Sequence, residues 1–387
     1  MAINLSRNTR VWASTSNTTH NNSNTFEIPV QEGYSLSQSV STADVSVEET
    51  GAEPTRGSAR FNASLDPVEW SFATYFNPYV DVDTNHYTTD MLMWHALATK
   101  DSIAPDLDNT GTSSIIYGDT SKFRVGFGNN SAHVLTKLYL YFKIDNDVYL
   151  VEDVQVGQAE ISIDISDLAM VNWSGNGTVY NRIASGSVPA FITANGTTYD
   201  QAGATDDDFV KIPTTGKEYI VNKLTTMDFQ SDVSGSNLYY TMPITSGTIT
   251  VNNNISYLTP NTLAVVDTAV GSFTGSFEVT GSLDAYMRDT GNDGLTEPNS
   301  KGTTELLEDM LGNTGQITNT TDVTFNIGGT ASGDPAAKIT MPTLHISVPS
   351  LSVDDVVSTS IEFKAIPNDP DMKSGTELSL EITAANA

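Results

Sequence analysis

The sequence contains no cysteine among its 387 residues, so disulfides, thiolate metal sites and cysteine nucleophiles are all excluded. It also contains no apolar run close to the roughly 20 residues that a membrane-spanning helix requires. Residues 1–24 are polar and lack the apolar centre of a signal peptide. We therefore expect a soluble chain that is made in a cytoplasm, has no membrane partner, and gains its stability from packing or assembly.

Positive charge is scarce. The chain has 18 Lys and Arg residues against 47 Asp and Glu residues, which gives a formal net charge of −29. Such a chain repels nucleic acid phosphates, which argues against conventional DNA binding. Considered alone, the acidity is explained by solubility or by a halophilic or marine source.

Charged residues make up only 17% of the chain and hydrophobic residues 38%, so Thr, Ser, Asn and Gly must form most of the surface. These residues suit sheet faces and turns. A period of two, typical of half-buried strands, dominates the chain. Residues 138–144 are apolar nearly throughout, which predicts a central strand, whereas 160–165 alternate isoleucine with polar residues. One core-facing helix is predicted in each half, at 90–97 and 304–311.

Four short matches, repeated in the same order about 200 residues apart, predict that one unit has been duplicated. The matched pairs are Ile28-Pro29-Val30 with Met242-Pro243-Ile244, Ala63-Ser64-Leu65-Asp66 with Gly281-Ser282-Leu283-Asp284, the two predicted helices, and Ser162-Ile163-Asp164-Ile165 with Ser360-Ile361-Glu362-Phe363. The fold class is therefore predicted to be mainly β, with two tandem β-sandwich or β-barrel domains, each carrying one short α-helix. The predicted boundaries are 1–172 for the first domain with an N-terminal arm, 173–217 for a polar linker or inserted hairpin, and 218–387 for the second domain.

A resemblance to a known family lies within residues 24–79. The segments that carry it are Asn24-Thr25-Phe26-Glu27-Ile28-Pro29-Val30, Gly33-Tyr34-Ser35-Leu36-Ser37-Gln38, Arg56-Gly57-Ser58-Ala59-Arg60-Phe61-Asn62 and Asp66-Pro67-Val68-Glu69-Trp70-Ser71-Phe72-Ala73-Thr74-Tyr75. They resemble the amino-terminal region of the major tail tube proteins of tailed bacteriophages. The repeat points to the fused two-domain type of long-tailed, siphophage-like phages. The second unit departs from this pattern, because it carries Ala285-Tyr286-Met287-Arg288 in place of the Trp70 segment.

The resemblance implies a structural virion protein without catalytic activity, cofactor or metal. Short tube proteins form hexameric rings, and fused forms build the same ring from three chains. The implied partners are further copies of the chain in helically stacked trimeric rings, a tape-measure protein in the lumen, and the tail terminator and distal tail proteins. Double-stranded DNA would pass through without specific binding during genome ejection. The implied location is the virion tail, with assembly in the host cytoplasm.

Acidic residues on polar strand faces are the candidates for lining such a lumen, since a negative wall repels DNA. They are Glu160, Asp164 and Asp167 in the first unit and Glu278, Asp284 and Glu362 in the second. An ordinary solvated strand face, or the outer surface of a tail, is the alternative for each of them. The N-terminal arm and the stretch 173–216 are predicted to contact adjacent chains or stacked rings, because both are long and polar.

Other motifs and functions are weaker. The Asp289–Glu297 segment vaguely suggests a calcium loop, but it lacks a leading helix and its glutamate is not at the twelfth position. The five histidines lie in no Gly-x-Ser-x-Gly turn or His-Glu-x-x-His helix. A capsid decoration or baseplate component, and a carbohydrate-binding adhesin module, are the alternative functions.

Overall fold

The computed structural model describes residues 9–20, 24–45, 59–80, 85–98, 116–118, 121–127, 135–165, 167–193, 218–231, 238–240, 242–259, 268–289, 300–312, 321–331, 333–347, 350–353, 356–367 and 377–385. These residues are mainly β, which confirms the predicted fold class. No helix within these ranges has the length and apolar character needed to cross a bilayer.

The elements of the first half run from residue 9 to residue 193. They are β1 (Thr9–Ser14), β2 (Thr25–Ile28), β3 (Ser35–Val45), β4 (Ala59–Tyr75), β5 (Pro78–Val80), β6 (His86–Thr88), α1 (Met91–Ala98), β7 (Ile116–Gly118), β8 (Phe123–Gly126), β9 (Leu138–Ile144), β10 (Asp147–Asp164), β11 (Met170–Gly177), β12 (Val179–Ile183) and α2 (Ala190–Thr193). A 3-10 helix lies at Ser185–Ser187. The four-residue α2 is a second α-helix in this half, for which only one was predicted.

The second half begins with a 3-10 helix at Asn222–Leu224. Its further elements are β13 (Thr226–Ser231), β14 (Leu238–Tyr240), β15 (Ile244–Asn252), β16 (Ser256–Leu258), β17 (Gly271–Phe273), β18 (Glu278–Tyr286), β19 (Ser300–Lys301), α3 (Thr303–Gly312), β20 (Thr321–Ile327), β21 (Ala336–Ile346), β22 (Ser350–Val353), β23 (Val357–Ala365) and β24 (Ser379–Thr383).

Both halves follow the same order of strand pairing. In the first half the order is β2–β1–β9–β10–β11–β4–β3, and β12 also pairs with β10. In the second half it is β14–β13–β20–β21–β23–β18–β15, and β24 also pairs with β21. Strand β22 continues β21 along the edge of β23. Each strand of the first order therefore has a counterpart at the same place in the second, and β12 corresponds to β24.

The long strand β10 belongs to two sheet layers. Its first residues pair with β9 and β12, and its last residues lie between β11 and β15. Register shifts between Val151 and Val154 and between Val156 and Gln158 mark the bend between the layers. Phe142 of one layer packs on Phe72 of the other, with ring centroids 6.5 Å apart. The strand thus holds the two layers around one apolar core.

Among the described residues, two strand pairings connect the halves. The end of β10 pairs with β15 over seven residue pairs, from Gln158 with Asn252 to Asp164 with Ser246. At a second connection β8 pairs with β24, where Lys122 lies 2.9 Å from Glu381 and Arg124 contacts the same carboxylate. Burial alone would raise the pKa of Glu381, but hydrogen bonds from the two cations outweigh burial and lower it.

Helix α1 is buried along its whole length, as its apolar sequence predicts. Trp94 of this helix contacts Trp173 edge to face, with ring centroids 4.8 Å apart. Trp173 donates its Nε1 hydrogen to Thr74 Oγ1 at 2.9 Å, and Thr74 in turn donates to Asp90 Oδ2 at 3.2 Å. Thr88 donates to Asp90 Oδ1 at 2.6 Å. Burial raises the pKa of Asp90 to about 6, and these hydrogen bonds only partly oppose it.

Three details of the sequence interpretation are corrected. Residues 173–183 were assigned to a polar linker or inserted hairpin, but they form the end of β11 and all of β12, which pair with β10 in the sheets of the first half. Residues 9–14 were assigned to a polar arm, but they form β1 with Trp12 buried. The fourth repeat match joined 162–165 to 360–363, whereas the pairing order equates β23 with β11.

Candidate functional site

A continuous polar face extends over both halves. It is the side of the neighbouring strands β4, β11, β10, β15, β18 and β23 that points away from the core. Ala159, Ile161 and Ile163 of β10 are buried, so the residues between them point to the other side. Directly opposed residues of paired strands share a face, which allows the polar face to be followed from strand to strand.

Four successive rows of opposed residues cross this polar face. They are Ser71, Ser174, Gln158, Asn252 and Glu278; then Ala73, Asn172, Glu160, Thr250, Thr280 and Lys364; then Tyr75, Met170, Ser162, Thr248, Ser282 and Glu362; and finally Asp164, Ser246, Asp284 and Ser360. Five of the six acidic residues singled out in the sequence therefore lie together on one face, although they come from three strands in both halves.

Asp167 is the exception among the predicted residues. It lies in the turn after β10, where its amide donates to the Asp164 carbonyl oxygen at 3.2 Å and its carbonyl oxygen accepts from the Asn222 amide at 3.3 Å. The side chain is exposed at the end of the sheet and lies outside the four rows.

Hydroxyl, amide and ammonium donors orient the carboxylates. Asn172 donates to Glu160 at 3.2 Å, and Ser246 donates to Asp284 at 3.0 Å. Lys364 lies 2.9 Å from Glu278, and its hydrogen bond lowers the pKa of that carboxyl. Five acidic residues therefore share the four rows with one lysine, Lys364.

Sequence reasoning missed Glu69. This exposed carboxylate follows buried Val68 and precedes buried Trp70, and it pairs with Ser37 and Asn176. The alternation of β4 was the signal that could have placed it on the polar face. A cleft of about 430 Å³ lies beside it, lined by serine, asparagine and glutamine side chains and by two glycines of the bulged region.

The described ranges hold no group of His, Asp and Glu residues arranged to bind a metal ion. Residues 290–299 of the loop that vaguely suggests a calcium site lie outside the described residues.

The chain is similar over nearly its whole length to one characterised protein. The identity is 39% over 373 residues, which are 96% of this chain and 74% of the relative. The chain therefore belongs to the tail tube proteins of tailed bacteriophages, and it is a structural protein of the virion tail. The relative is the tail tube protein pb6 of Escherichia phage T5. No family model matches the chain. This membership agrees with the predicted tail tube function and disfavours the capsid, baseplate and adhesin alternatives.

Proposed function

We propose that the two halves arose by duplication and that three copies close a ring of six similar units, which stacks helically into the tube. The observation that carries this proposal is the β10–β15 pairing, since it joins two halves with the same pairing order. The domains would be the two halves, joined by the residues after α2.

The free strand edges support ring closure. Strand β15 is the counterpart of β3, and β22 extends the counterpart of β10. Among the described residues, no strand pairs with the outer edge of β3 or with the outer edge of β22. A pairing of β22 with β3 of the next chain would repeat the β10–β15 connection between chains. Such a pairing satisfies both exposed edges and continues the polar face around the ring.

The polar face is proposed to line the lumen, because closing the sheet in this way places one face inside. Glu160, Asp164, Glu278, Asp284 and Glu362 would then repel passing double-stranded DNA, and Asp167 would lie at the end of the channel. The tape-measure protein would occupy the same lumen before ejection. The tail terminator and distal tail proteins would cap the tube, which would assemble in the host cytoplasm and catalyse no reaction.

A designed disulfide tests ring closure, since the natural chain has no cysteine. Ser162 lies opposite Thr248 across the internal connection. The matching positions in the proposed contact between chains are Ser352 and Ser35. Ser352 shares a row with Tyr286, just as Ser162 shares a row with Tyr75. Ser35 pairs with the residue four before Tyr75, just as Thr248 pairs with the residue four before Tyr286. The variant S35C/S352C should give covalent trimers on non-reducing gels.

The controls define the outcome. S162C/T248C should form an internal disulfide and remain a monomer on the gel, and each single variant should give no species larger than a dimer. A double variant that stays monomeric under oxidation, while S162C/T248C crosslinks, would contradict the proposed lateral contact. A ladder extending beyond three chains would contradict the closed ring.

Reversing charge on the polar face tests the lumenal assignment. The triple variant E160K/D164K/E362K should fold and assemble but eject the genome at least several-fold more slowly at low salt, because rings of positive charge hold phosphates. The matched variant E218K/D289K/E308K changes the net charge by the same amount, but at exposed positions away from the polar face. Equal ejection rates for both variants at matched assembly yield would contradict the lumenal assignment. The acidity would then serve solubility instead.

A further inference from the structure

The cleft beside Glu69 lies on the polar face where the two halves meet. Strands β3, β4, β11 and β10 and the turn after β15 supply its lining, so both halves contribute to it. Gly157 and Gly175 add no side chains at the bulge of β10, which leaves a volume of about 430 Å³. This volume falls in the range of sites that bind small molecules. Among the described residues that line it, Glu69 carries the charge and most of the others are serines or amides.

Glu69 carries its charge without a partner from this part of the chain. It is exposed, and its strand neighbours across the sheet are Ser37 and Asn176. No other described residue forms a hydrogen bond or an ion pair with its carboxylate. Donors from neighbouring strands orient three of the other carboxylates on the polar face. The cleft therefore offers an acceptor with negative charge to a donor from outside the described residues.

The groups around Glu69 are further acceptors. Asn176 donates its Nδ2 hydrogen to the Val68 carbonyl oxygen at 3.4 Å, which leaves its Oδ1 to accept. The hydroxyls of Ser35 and Ser71 lie 2.9 Å apart and share one hydrogen bond, so lone pairs remain on both. A primary ammonium group has three N–H donors and no acceptor. A carboxylate flanked by amide and hydroxyl oxygens matches these donors.

The second half holds a lysine at the corresponding place. Thr280 is the counterpart of Glu69, because each lies six residues before the matched tyrosine of its strand. Glu69 pairs with Asn176 and Thr280 pairs with Lys364, so Lys364 takes the place of Asn176. Its ammonium group lies 2.9 Å from Glu278. This face therefore accommodates an ammonium beside a carboxylate in the second half, whereas the first half keeps a carboxylate and has lost the lysine.

We propose that the cleft binds the primary ammonium group of a ligand, with Glu69 as its counter-ion and Asn176 and the serines as further acceptors. Two sources carry this group: a free polyamine and a lysine side chain of another polypeptide. A concave acidic site on a chain of net charge −29 attracts either of them electrostatically. The cleft belongs to a single chain, so its failure to bind an ammonium would leave the proposed ring untouched.

An introduced cysteine tests the site, since the natural chain has none. S37C places a thiol opposite Glu69, where it can react with cationic aminoethyl methanethiosulfonate or neutral methyl methanethiosulfonate. On the unassembled full chain, the rate with the cationic reagent should saturate and exceed the neutral rate several-fold, because this reagent binds before it reacts. Adding E69Q should abolish both the saturation and the preference. The ratio of the two rates cancels any change in the reactivity of the thiol itself.

The control and the competitors separate a site from general surface charge. T250C lies at the counterpart of Ser37 and opposite Glu160, outside the cleft, and its rate should rise linearly with the cationic reagent. Spermidine and N-acetyl-lysine amide should each slow the modification of S37C. Tetramethylammonium, which has the charge but no N–H donor, should not. The competitor that protects at the lower concentration identifies the source of the ammonium.

Two results would overturn the inference. The first is a linear rate at S37C that matches the rate at T250C, and the second is equal protection by tetramethylammonium and spermidine. Either would reduce the effect to surface charge. If S37C does not fold, S174C supplies a thiol in the same cleft and should show the same saturation and the same loss with E69Q. A linear rate at that position would contradict the site.

Discussion

Replacing Gly175 with alanine should destabilise the chain by roughly 3 kcal/mol, the upper part of the range for overpacked interiors. A Cβ atom at this position would lie 2.2 Å from the Gln155 carbonyl oxygen and 2.7 Å from the Trp70 ring. The first contact involves backbone of the neighbouring strand, which cannot turn away as a flexible side chain could. The chemical denaturation midpoint should therefore fall strongly.

Gly186 provides the matched control for this substitution. A Cβ atom there would meet nothing within 4 Å, and the residue is exposed in a 3-10 helix. Alanine at 186 should change the free energy of unfolding by no more than about 0.5 kcal/mol. If the midpoints of G175A and G186A agree, β10 and β11 do not approach as closely as described at the bulge.

Asp90 should make folding stability fall between about pH 4 and pH 6. An unfolded chain ionises this carboxyl near the ordinary pKa of 3.8, whereas the folded chain keeps it protonated until about pH 6. Its contribution to the free energy of unfolding is therefore lost over that window and stays lost above it, by roughly 3 kcal/mol. The cause is burial, which the hydrogen bonds to the carboxyl, those from Thr74 and Thr88 among them, oppose only in part.

The variant D90N isolates this effect from the many other carboxylates. Asparagine keeps one acceptor oxygen, for one of the two threonines, and does not titrate, so the penalty for the other hydrogen bond is the same at every pH. Unfolding by urea should show the stability of D90N rising relative to the parent as the pH increases from 4 to 7. Parallel curves for the two proteins would show that folding does not raise the pKa of Asp90.

The alternation of polar and apolar residues predicted correctly which face of a strand is buried, but it did not predict which strands pair. The isoleucines of β10 identified its buried side, and that was enough to place Glu160 and Asp164 on the same polar face. The same pattern could not reveal that β15 pairs with β10, because that contact joins residues far apart in the chain and leaves no local signal. The error at Trp173 has a related cause, since glycine and asparagine around it resemble a loop although β4 and β10 cover it on either side.

The hairpin arm formed by β3 and β4, which extends beyond the last pair between β4 and β11 at Val68, could not be predicted for a different physical reason. A strand pair that projects from a body has no core to impose a one-sided pattern, so β3 shows polar and apolar residues on both sides. The resemblance within residues 24–79 covered this arm but could not indicate where the sheet ended. Helices α1 and α3 were easier to predict, because a helix buried against a core must carry apolar residues on its contacting side.

The internal pairing of β10 with β15 also affects the concentration at which rings can form. In the proposed ring, half of the lateral contacts are made within single chains, where the partner strand is present at an effective concentration on the order of millimolar. Only three independent bodies must meet instead of six, so the yield of rings rises with the third power of protein concentration rather than the sixth. In such a ring, a chain with two joined halves would begin a tube at a lower protein concentration than two separate halves would.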